Sequence, residues 1–382
     1  MTRLRELDPS IYALPGGFSA GILSPALIVY LERVRENLSR MAGYLDGRVD
    51  RWRPHVKTAK IPHVFAEIAR AGVRHFKCAT TREAALLLET LEHEGCGDAD
   101  VLCAYPLIGP ALERLAHIAR RHPHARISVL AEDPSAVAAL PAELSVFVDV
   151  NPGMHRTGVP LEDAATILDV ARRAGGRFRG VHYYDGHLHG GLAANRRARA
   201  TACYDRLIEL ADGLEQGGMT VAELITSGTP TFQDALAHPG LAQRPHRVSP
   251  GTVVYHDLRS EQECENLDLV PAALVLARVV SHPAPGVVTC DAGSKSIAAE
   301  AGDPCALAIG EPGLEALTPS EEHMPLRVVH GPRPERGREL LLVPRHVCPT
   351  INLAEAAVLV DAGVCEIVPV SARAHELRLE AP

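Results

Sequence analysis

The stretch DRWRPHVKTAKIPHVFAEIARAGVRHFKCAT, residues 50–80, decides the fold that the sequence predicts. We predict short strands at residues 50–57 and 73–80. Residues 61–72 between them have the spacing of an amphipathic helix. A strand, a helix and a second strand in this order form the repeating unit of a parallel sheet.

The same alternation runs from residue 25 to about residue 260. Strand-type runs such as PALIVYL (25–31), DVLCAYPL (100–107) and LSVFVDV (144–150) are separated by helical runs such as REAALLLETLEHEG (82–95). Eight such units in succession favour a (β/α)8 barrel over an open sheet. We therefore predict an α/β fold built around a TIM-like barrel.

The pattern changes near residue 260. DLVPAALVLARVVSHPAPGVVTCDAG (268–293) and ELLLVPRHVCPT (339–350) have strand period and are separated by proline and glycine. We predict a barrel domain over residues 25–260 and a mostly β domain over residues 261–382, to which residues 1–24 are a candidate addition.

Composition excludes several classes of protein. A net charge of −8 disfavours nucleic acid as a partner, because phosphate binding needs a basic surface. Nine cysteines without a CxxC spacing indicate no disulfide framework and favour a reducing compartment. Neither an N-terminal apolar segment nor a run of 18 apolar residues occurs, so we expect a cytoplasmic protein without a membrane span.

Lys57 lies at the predicted carboxyl end of the second strand, where barrels carry their catalytic groups. Arg53, His55 and Lys60 surround it in the sequence, and nearby cations lower the pKa of an amine and make it a nucleophile. The alternative is a solvated basic strand end. Polar runs also follow other strands, at 78–81, 149–158, 183–190 and 227–231, which favours the functional interpretation.

SGTPT (227–231) and SPGT (249–252) each follow a predicted strand. Small residues there let backbone N–H groups approach an anion, and the hydroxyls can add hydrogen bonds to a phosphate. Two ordinary turns are the alternative. A phosphate cradle together with a lysine is what pyridoxal 5′-phosphate (PLP) requires. A Schiff-base aldolase without a cofactor remains a second interpretation of the lysine.

Two further loops carry candidate groups. DVNPGMHRTGV (149–159) places Arg156 after a tight turn, where it could hold an anionic oxygen or form a surface ion pair. HYYDGHLHG (182–190) offers His187 or His189 as a general base near neutral pH, unless the segment is a polar loop without a catalytic role.

PRHVCPTINL (344–353) contains His346 and Cys348. On a strand, residues i and i+2 share a face, so both side chains could bind one ion. Imidazole and thiolate suit Zn²⁺, and two protein ligands leave positions open for substrate. Two half-buried strand residues are the alternative.

Taken together, these segments resemble one family. RPHVKTAK (53–60) is similar to the PLP-lysine segment of the D-threonine aldolase and D-serine dehydratase group, and DVNPGMHRTGV is similar to the arginine segment of alanine-racemase-like barrels. SGTPT and SPGT resemble the phosphate-side segments. DAGSK (291–295), EEH (321–323) and PRHVCPTINL resemble the C-terminal domain of the group.

The resemblance implies a fold-type III PLP enzyme, a homodimer whose active sites lie near the subunit interface. Lys57 would be the Schiff-base lysine, Arg156 a cofactor contact, and His346 and Cys348 the ligands of a divalent metal, zinc or manganese. It also implies further cofactor contacts at Tyr184, Ser227, Gly228, Thr229, Gly251 and Thr252.

The resemblance implies a lyase acting on a small D-3-hydroxy amino acid. YDGH (184–187) is similar to the aldolases, which would make His187 the base for a retro-aldol cleavage to glycine and an aldehyde, as in D-threonine aldolase. The His-x-Cys pair is similar to the dehydratases, which form a 2-oxo acid and ammonia from D-serine or D-threo-3-hydroxyaspartate, and Ala59 replaces a common histidine. A racemase and a non-catalytic PLP-binding protein are the remaining alternatives.

Overall fold

The computed structural model describes residues 3–15, 21–190, 193–264 and 266–377. The chain divides into two compact units. The strand unit contains Met1–Arg40, Thr58–Val64 and Thr252–Ala374, and the barrel unit contains Met41–Lys57, Phe65–Gly251 and His375–Pro382. The chain thus passes between the units several times, whereas the sequence predicts a single boundary near residue 260.

The strands are, in chain order, β1 Ala26–Tyr30, β2 His75–Cys78, β3 Asp100–Cys103, β4 Arg126–Ala131, β5 Ser145–Asn151, β6 Val159–Pro160, β7 Phe178–Tyr183, β8 Glu223–Thr226, β9 His246–Val248, β10 Ala273–Ala284, β11 Val287–Cys290, β12 Ala306–Ala308, β13 Leu314–Ala316, β14 Met324–Val328, β15 Glu339–Pro344, β16 Ala356–Asp361 and β17 Val364–Pro369. The α-helices are α1 Leu31–Tyr44, α2 Pro62–Arg70, α3 Thr81–His93, α4 Pro110–Arg121, α5 Pro134–Val137, α6 Ala164–Ala174, α7 Ala193–Gln216, α8 Phe232–Ala237, α9 Pro239–Ala242, α10 Leu258–Glu263 and α11 Val347–Leu353.

The barrel unit is built on a parallel sheet with the order β2-β3-β4-β5-β7-β8-β9, and β6 pairs with the end of β5. Residues 52–56 join the two edge strands. Trp52 bridges to Val248 of β9, and His55 bridges to Lys77 of β2. The predicted fold class, a parallel barrel with helices plus a separate mostly β domain, is confirmed.

The helices of this unit follow from local sequence. Thr80 caps α3, where its side chain accepts a hydrogen bond from the Glu83 N–H. The helix buries Leu87, Leu88 and Leu91, which recur at the spacing of one helical face. This face of α3 packs against β2 and β3, because a parallel sheet must be covered where it does not face the barrel interior.

Two predictions about the start of the barrel are wrong. Residues 50–57 do not form a regular strand: Val49–Arg51 is a 3-10 turn, and the next residues make only isolated bridges, since Pro54 lacks the N–H that a ladder needs. The first predicted barrel strand, β1, pairs instead with β10 and β16 of the strand unit. An apolar run fits either sheet equally well, so composition could not decide its partner.

The strand unit contains one large mixed sheet with the order β13-β14-β11-β10-β1-β16-β17, while β15 joins β10 to β12. Its core contains Leu4 and Tyr12 from the N-terminal residues, and the Tyr30 hydroxyl donates a hydrogen bond to the Tyr12 carbonyl at 2.9 Å. None of the helices in the described part of the chain is long and apolar enough to cross a membrane.

Candidate active site

Lys57 lies in a turn just after residues 52–56, and its side chain is exposed. The Val56 N–H donates to the Lys77 carbonyl at 2.7 Å, which fixes the backbone immediately before the lysine. The predicted crowding by Arg53 is wrong, because the Arg53 guanidinium is fully buried against Glu223 and Asp100.

Tyr184 and Arg156 lie together in the barrel unit. The Arg156 guanidinium carbon is 4.9 Å from the centroid of the Tyr184 ring, a cation–π contact. Asn151 shapes the turn before the arginine, because its side-chain oxygen accepts hydrogen bonds from the N–H groups of Gly153 and His155, both at 3.0 Å. The arginine is exposed and available to an anionic ligand.

The carboxyl ends of β8 and β9 present two buried hydroxyls. The Oγ atoms of Ser227 and Ser249 have no hydrogen-bond partner among the described residues. Gly228 lies so close to Tyr184 that a Cβ there would come to 3.3 Å from the ring. Unpartnered hydroxyls next to a glycine that lets the backbone approach fit the phosphate of PLP. Ser249 is absent from the predicted set, although it opens the SPGT segment that drew attention to Gly251.

The remaining predicted contacts divide between the units. Thr229 and Gly251 are buried in the barrel unit. Thr252 belongs to the strand unit, where its hydroxyl lies 3.6 Å from the Cys348 sulfur. The Thr252 hydroxyl therefore contacts the predicted metal ligand Cys348.

His187 lies in the turn after β7, with its ring against Gly153. The Nδ1 atom is buried and has no hydrogen-bond partner among the described residues. Burial, together with the charges of Arg199, His155 and His189, lowers the pKa of His187. The imidazole is therefore neutral at pH 7 and able to accept a proton.

Asp185 fixes the loop that carries His187. Its carboxylate accepts hydrogen bonds from the Tyr204 hydroxyl and from the Thr231 hydroxyl, the latter at 3.1 Å. Burial raises the pKa of Asp185 to about 6. Asp185 thus anchors the loop inside the barrel unit.

His346 and Cys348 do not lie on a strand, so that prediction is wrong. β15 ends at Pro344, His346 occupies the N-cap position of α11 without a side-chain capping hydrogen bond, and Cys348 is in the first helical turn. The two side chains nevertheless interact, and Cys348 also lies 3.1 Å from the Thr58 hydroxyl.

The surroundings of His346 favour positive charge. Its Nδ1 atom is 2.5 Å from Glu300 Oε1. Burial alone would lower the pKa of His346, but Cys348, Glu300 and Asp257 together raise it to about 9. An imidazole, a thiol and two nearby carboxylates suit a divalent metal, which would replace the proton that these groups attract.

A separate cluster of one histidine and two carboxylates has the spacing of a metal site, but arginines already pair with its carboxylates. Ligand atoms of His75, Asp100 and Glu223 lie within 4.8 Å of one another. Arg53 reaches Glu223 at 2.7 Å and Asp100 at 3.0 Å, and Arg247 reaches Glu223 at 3.0 Å. Burial and these arginines lower the pKa of His75 to about 4. The two arginines therefore neutralise the carboxylates in place of a metal ion. The cluster also lies at the amino ends of the strands, the face of a barrel that contributes to stability.

Comparison with known proteins agrees with this arrangement. The family model "Alanine racemase, N-terminal domain" matches residues 29–258, and "Putative serine dehydratase domain" matches residues 272–360. A D-threonine aldolase from Arthrobacter sp. is 31% identical over 94% of this chain and 95% of its own length. The D-threo-3-hydroxyaspartate dehydratase of Delftia sp. is 27% identical over 73% of both chains.

The fold agrees as well. The crystal structure of D-threonine aldolase from Filomicrobium marinum superposes with a TM-score of 0.81 at 27% identity, covering 93% of this chain and 96% of that one. The chain belongs to the family of D-threonine aldolases and D-serine dehydratases, whose barrel is alanine-racemase-like. The relatives are lyases, and the predicted family is confirmed.

Proposed function

We propose that the protein is a PLP- and divalent-metal-dependent lyase that cleaves a D-3-hydroxy amino acid to glycine and an aldehyde. The observation that carries the retro-aldol assignment is His187, which lies at the carboxyl end of the barrel and whose buried Nδ1 has no hydrogen-bond partner in the described part of the chain. Burial and nearby cations lower its pKa. The family, and the similarity to the Arthrobacter aldolase over nearly the whole chain, support the class of reaction.

The barrel unit would hold the cofactor. The exposed amine of Lys57 would bond to it, Arg156 would contact an anionic oxygen, and Tyr184 would lie beside the ring. Ser227, Gly228 and Thr229, with Ser249 and Gly251, would bind the phosphate through hydroxyl and N–H donors. PLP supplies an electron sink for the pair released when a bond at the substrate Cα breaks.

The strand unit would hold the metal through His346 and Cys348. Glu300 would orient the imidazole by accepting its Nδ1 proton, as outer carboxylates do for ligating histidines. Thr58 and Thr252 lie within hydrogen-bond distance of the sulfur and would stabilise its thiolate form. A zinc or manganese ion supplies Lewis acidity that lowers the pKa of a substrate hydroxyl.

His187 would accept the proton of the substrate β-hydroxyl. Loss of that proton forms the aldehyde carbonyl and breaks the Cα–Cβ bond. A general base contributes about 10²–10⁴-fold to such a step. Asp185, Tyr204 and Thr231 would keep the histidine loop in place without touching the substrate.

Product analysis tests the proposal. Protein loaded with PLP and Mn²⁺ or Zn²⁺ is incubated with D-threonine, and glycine, acetaldehyde and 2-oxobutyrate are measured together. We expect glycine and acetaldehyde in equal amounts, and a loss of at least about 10²-fold for His187→Ala. His189→Ala, an exposed neighbour two residues away, is the matched control and should remain near the wild-type rate.

A dehydratase is the second candidate, and Cys348 is the observation that favours it. The His-x-Cys pair that Cys348 forms with His346 is similar to the pair in dehydratases, and the Delftia relative is a dehydratase. In that reaction Lys57 would take the α-proton, and His346 and Cys348 would hold a metal whose Lewis acidity favours loss of the hydroxyl. If D-threonine gives 2-oxobutyrate, and if His187→Ala has little effect on the rate of its formation, the protein is a dehydratase and the aldolase proposal is refuted.

We also propose a homodimer in a reducing, cytoplasmic setting. The family resemblance supports the dimer, and the nine cysteines, none of which forms a disulfide, support the reducing compartment. Light scattering of the purified protein tests the dimer.

A further inference from the structure

The chain contains only four lysines, Lys57, Lys60, Lys77 and Lys295, among 39 lysines and arginines. Arginine therefore supplies nearly every cation. An arginine stays charged in proteins, whereas a buried lysine can lose its proton. A lysine inside the barrel of so arginine-rich a chain is a group that can titrate.

Lys77 is such a group. It is on β2, only 2% exposed, and none of the roles assigned above uses its side chain. Its Nζ lies 3.3 Å from His182 Nε2, and His182 Nδ1 lies 2.7 Å from Asp149 Oδ1. His182 and Asp149 are cross-strand partners on β7 and β5, so three strands hold this triad rigidly.

The triad lies directly beneath proposed cofactor contacts. Lys77 Nζ is 5.4 Å from the centroid of the Tyr184 ring, the ring that Arg156 also faces. The same unit carries Lys57, whose charge acts on Lys77. A ligand bound by Lys57, Arg156 and Tyr184 would therefore be within electrostatic range of Lys77.

The charges that face Lys77 are unbalanced. Burial comes first, and the cations Lys57, Arg156 and Arg53 follow, in lowering its pKa to about 7, while Asp149 opposes them. The buried carboxylate of Asp185 also interacts with the Lys77 charge. The neighbouring His182 also has a lowered pKa, because of burial and of Lys77 itself. Without an anionic ligand, Lys77 is thus mostly neutral above neutral pH.

We propose that Lys77, held by His182 and Asp149, balances the charge of the cofactor site, and that binding of an anionic PLP-type ligand is coupled to uptake of one proton by Lys77. The proton comes from solvent and adds to the Lys77 amine, and no covalent bond to the ligand is involved. The inference rests on the proposed cofactor site in the barrel unit.

The physical basis is linkage. A phosphate dianion and a phenolate offset the positive charges of Lys57 and Arg156, which removes the repulsion that adds to burial in lowering the pKa of Lys77. The protonated amine in turn attracts the ligand. Ligand affinity should therefore fall as pH rises above 7, by up to about 10-fold per unit.

Calorimetry measures the coupling without catalysis. The probe is pyridoxine 5′-phosphate, which carries an alcohol in place of the aldehyde and so does not bond to Lys57. Titration at pH 8 in two buffers of different ionisation enthalpy gives the number of protons taken up. We expect the wild type to take up about 0.5–1 proton more than Lys77→Met or Lys77→Arg, which are permanently neutral and permanently charged.

A control variant and a second measurement support the calorimetry. Lys295→Met removes an exposed lysine paired with Glu321 and should leave proton uptake unchanged. NMR of ¹³Cε-labelled lysine has only four residues to resolve, so the titration of Lys77 in the wild type can be followed with and without the ligand, even if a variant fails to fold. We expect its midpoint to rise on binding.

Equal proton uptake by the wild type and both variants, or a Lys77 midpoint that does not move on binding, overturns the inference. Failure of PLP to give a Schiff-base absorbance that depends on Lys57 would instead refute the proposed cofactor site. The two failures are distinguishable because Schiff-base formation and proton uptake are measured separately.

Discussion

Replacement of Arg53 by methionine should destabilise the barrel unit severely. Arg53 is fully buried, and its Nε and Nη2 atoms donate to the two oxygens of Glu223 at 2.8 and 2.7 Å. Its Nη1 atom donates to Asp100 Oδ1 at 3.0 Å and to the Phe76 carbonyl at 3.0 Å. Methionine keeps most of the aliphatic volume and removes every donor.

The expected loss follows from what remains. Breaking a buried ion pair on one side costs about 3–5 kcal/mol, because the partner charge stays buried and unpaired. Arg247 still reaches Glu223 at 3.0 Å, and Arg126 reaches Asp100 at 3.4 Å, so part of the charge stays compensated. We therefore expect the lower half of that range, about 3–4 kcal/mol.

Trp52 reports this loss directly, because it is the only tryptophan in the chain, is 1% exposed and precedes Arg53. Urea unfolding followed by its fluorescence gives the free energy of unfolding of the barrel unit. The control is Arg48→Met, an exposed residue 3.7 Å from Asp50, which should change stability by less than about 0.5 kcal/mol. A loss below about 1 kcal/mol for Arg53→Met, or its restoration by zinc, would refute the arginine-neutralised cluster in favour of a metal site.

Three other changes test separate parts of the site. Asp185→Asn should stabilise the protein at pH 7. The folded pKa of Asp185, about 6, is above the unfolded value, so the wild type loses stability as pH rises from about 4 to 6. In the variant, Tm measured across this window should depend less on pH. Gly228→Val should weaken PLP binding, measured by absorbance, because a Cβ would lie 3.3 Å from the Tyr184 ring, whereas Gly213→Ala in α7, with open space around it, should leave binding unchanged. Glu300→Gln should lower metal affinity about 10–100-fold in a chelator competition, and an unchanged affinity would remove Glu300 from the metal site.

The sequence predicted the barrel because its periodicity is a local property. Strand and helix alternation, and polar groups after successive strands, are readable without tertiary information. The partner of a strand is not a local property. β1 has the apolar character of a barrel strand, yet it pairs with β10 and β16, and only the assembled sheet distinguishes these outcomes.

The candidate site shows the same limit. Lys57, Arg156 and His346 were found because each belongs to a recognisable segment. The sequence does not single out Lys77, because it lies within β2 and not in a recognisable segment, and its significance appears only once His182 and Asp149 lie beside it. The helix at VCPTINL was missed because a short apolar run after a strand does not distinguish a continued strand from a capped helix.

The segment RPHVKTAK illustrates how one short motif serves several purposes. The sequence suggested that its cations together modify Lys57, but the structure separates them. Arg53 is directed into the interior, where it neutralises Glu223 and Asp100, and Lys60 donates to the Ala372 carbonyl at 3.4 Å. Between Lys57 and Thr58 the chain passes from the barrel unit to the strand unit.

The tasks of the motif are therefore separable by mutation. Arg53 should govern the stability of the barrel unit, and Lys57 should govern covalent attachment of the cofactor. Thr58, 3.1 Å from the Cys348 sulfur, should affect only the metal. If the cations acted together on Lys57, a change at Arg53 would alter the pH dependence of Schiff-base formation in protein that is still folded. Because its guanidinium is fully occupied by buried carboxylates, we expect Arg53→Met, which removes the charge, to lower stability without moving that pH dependence in the protein that remains folded.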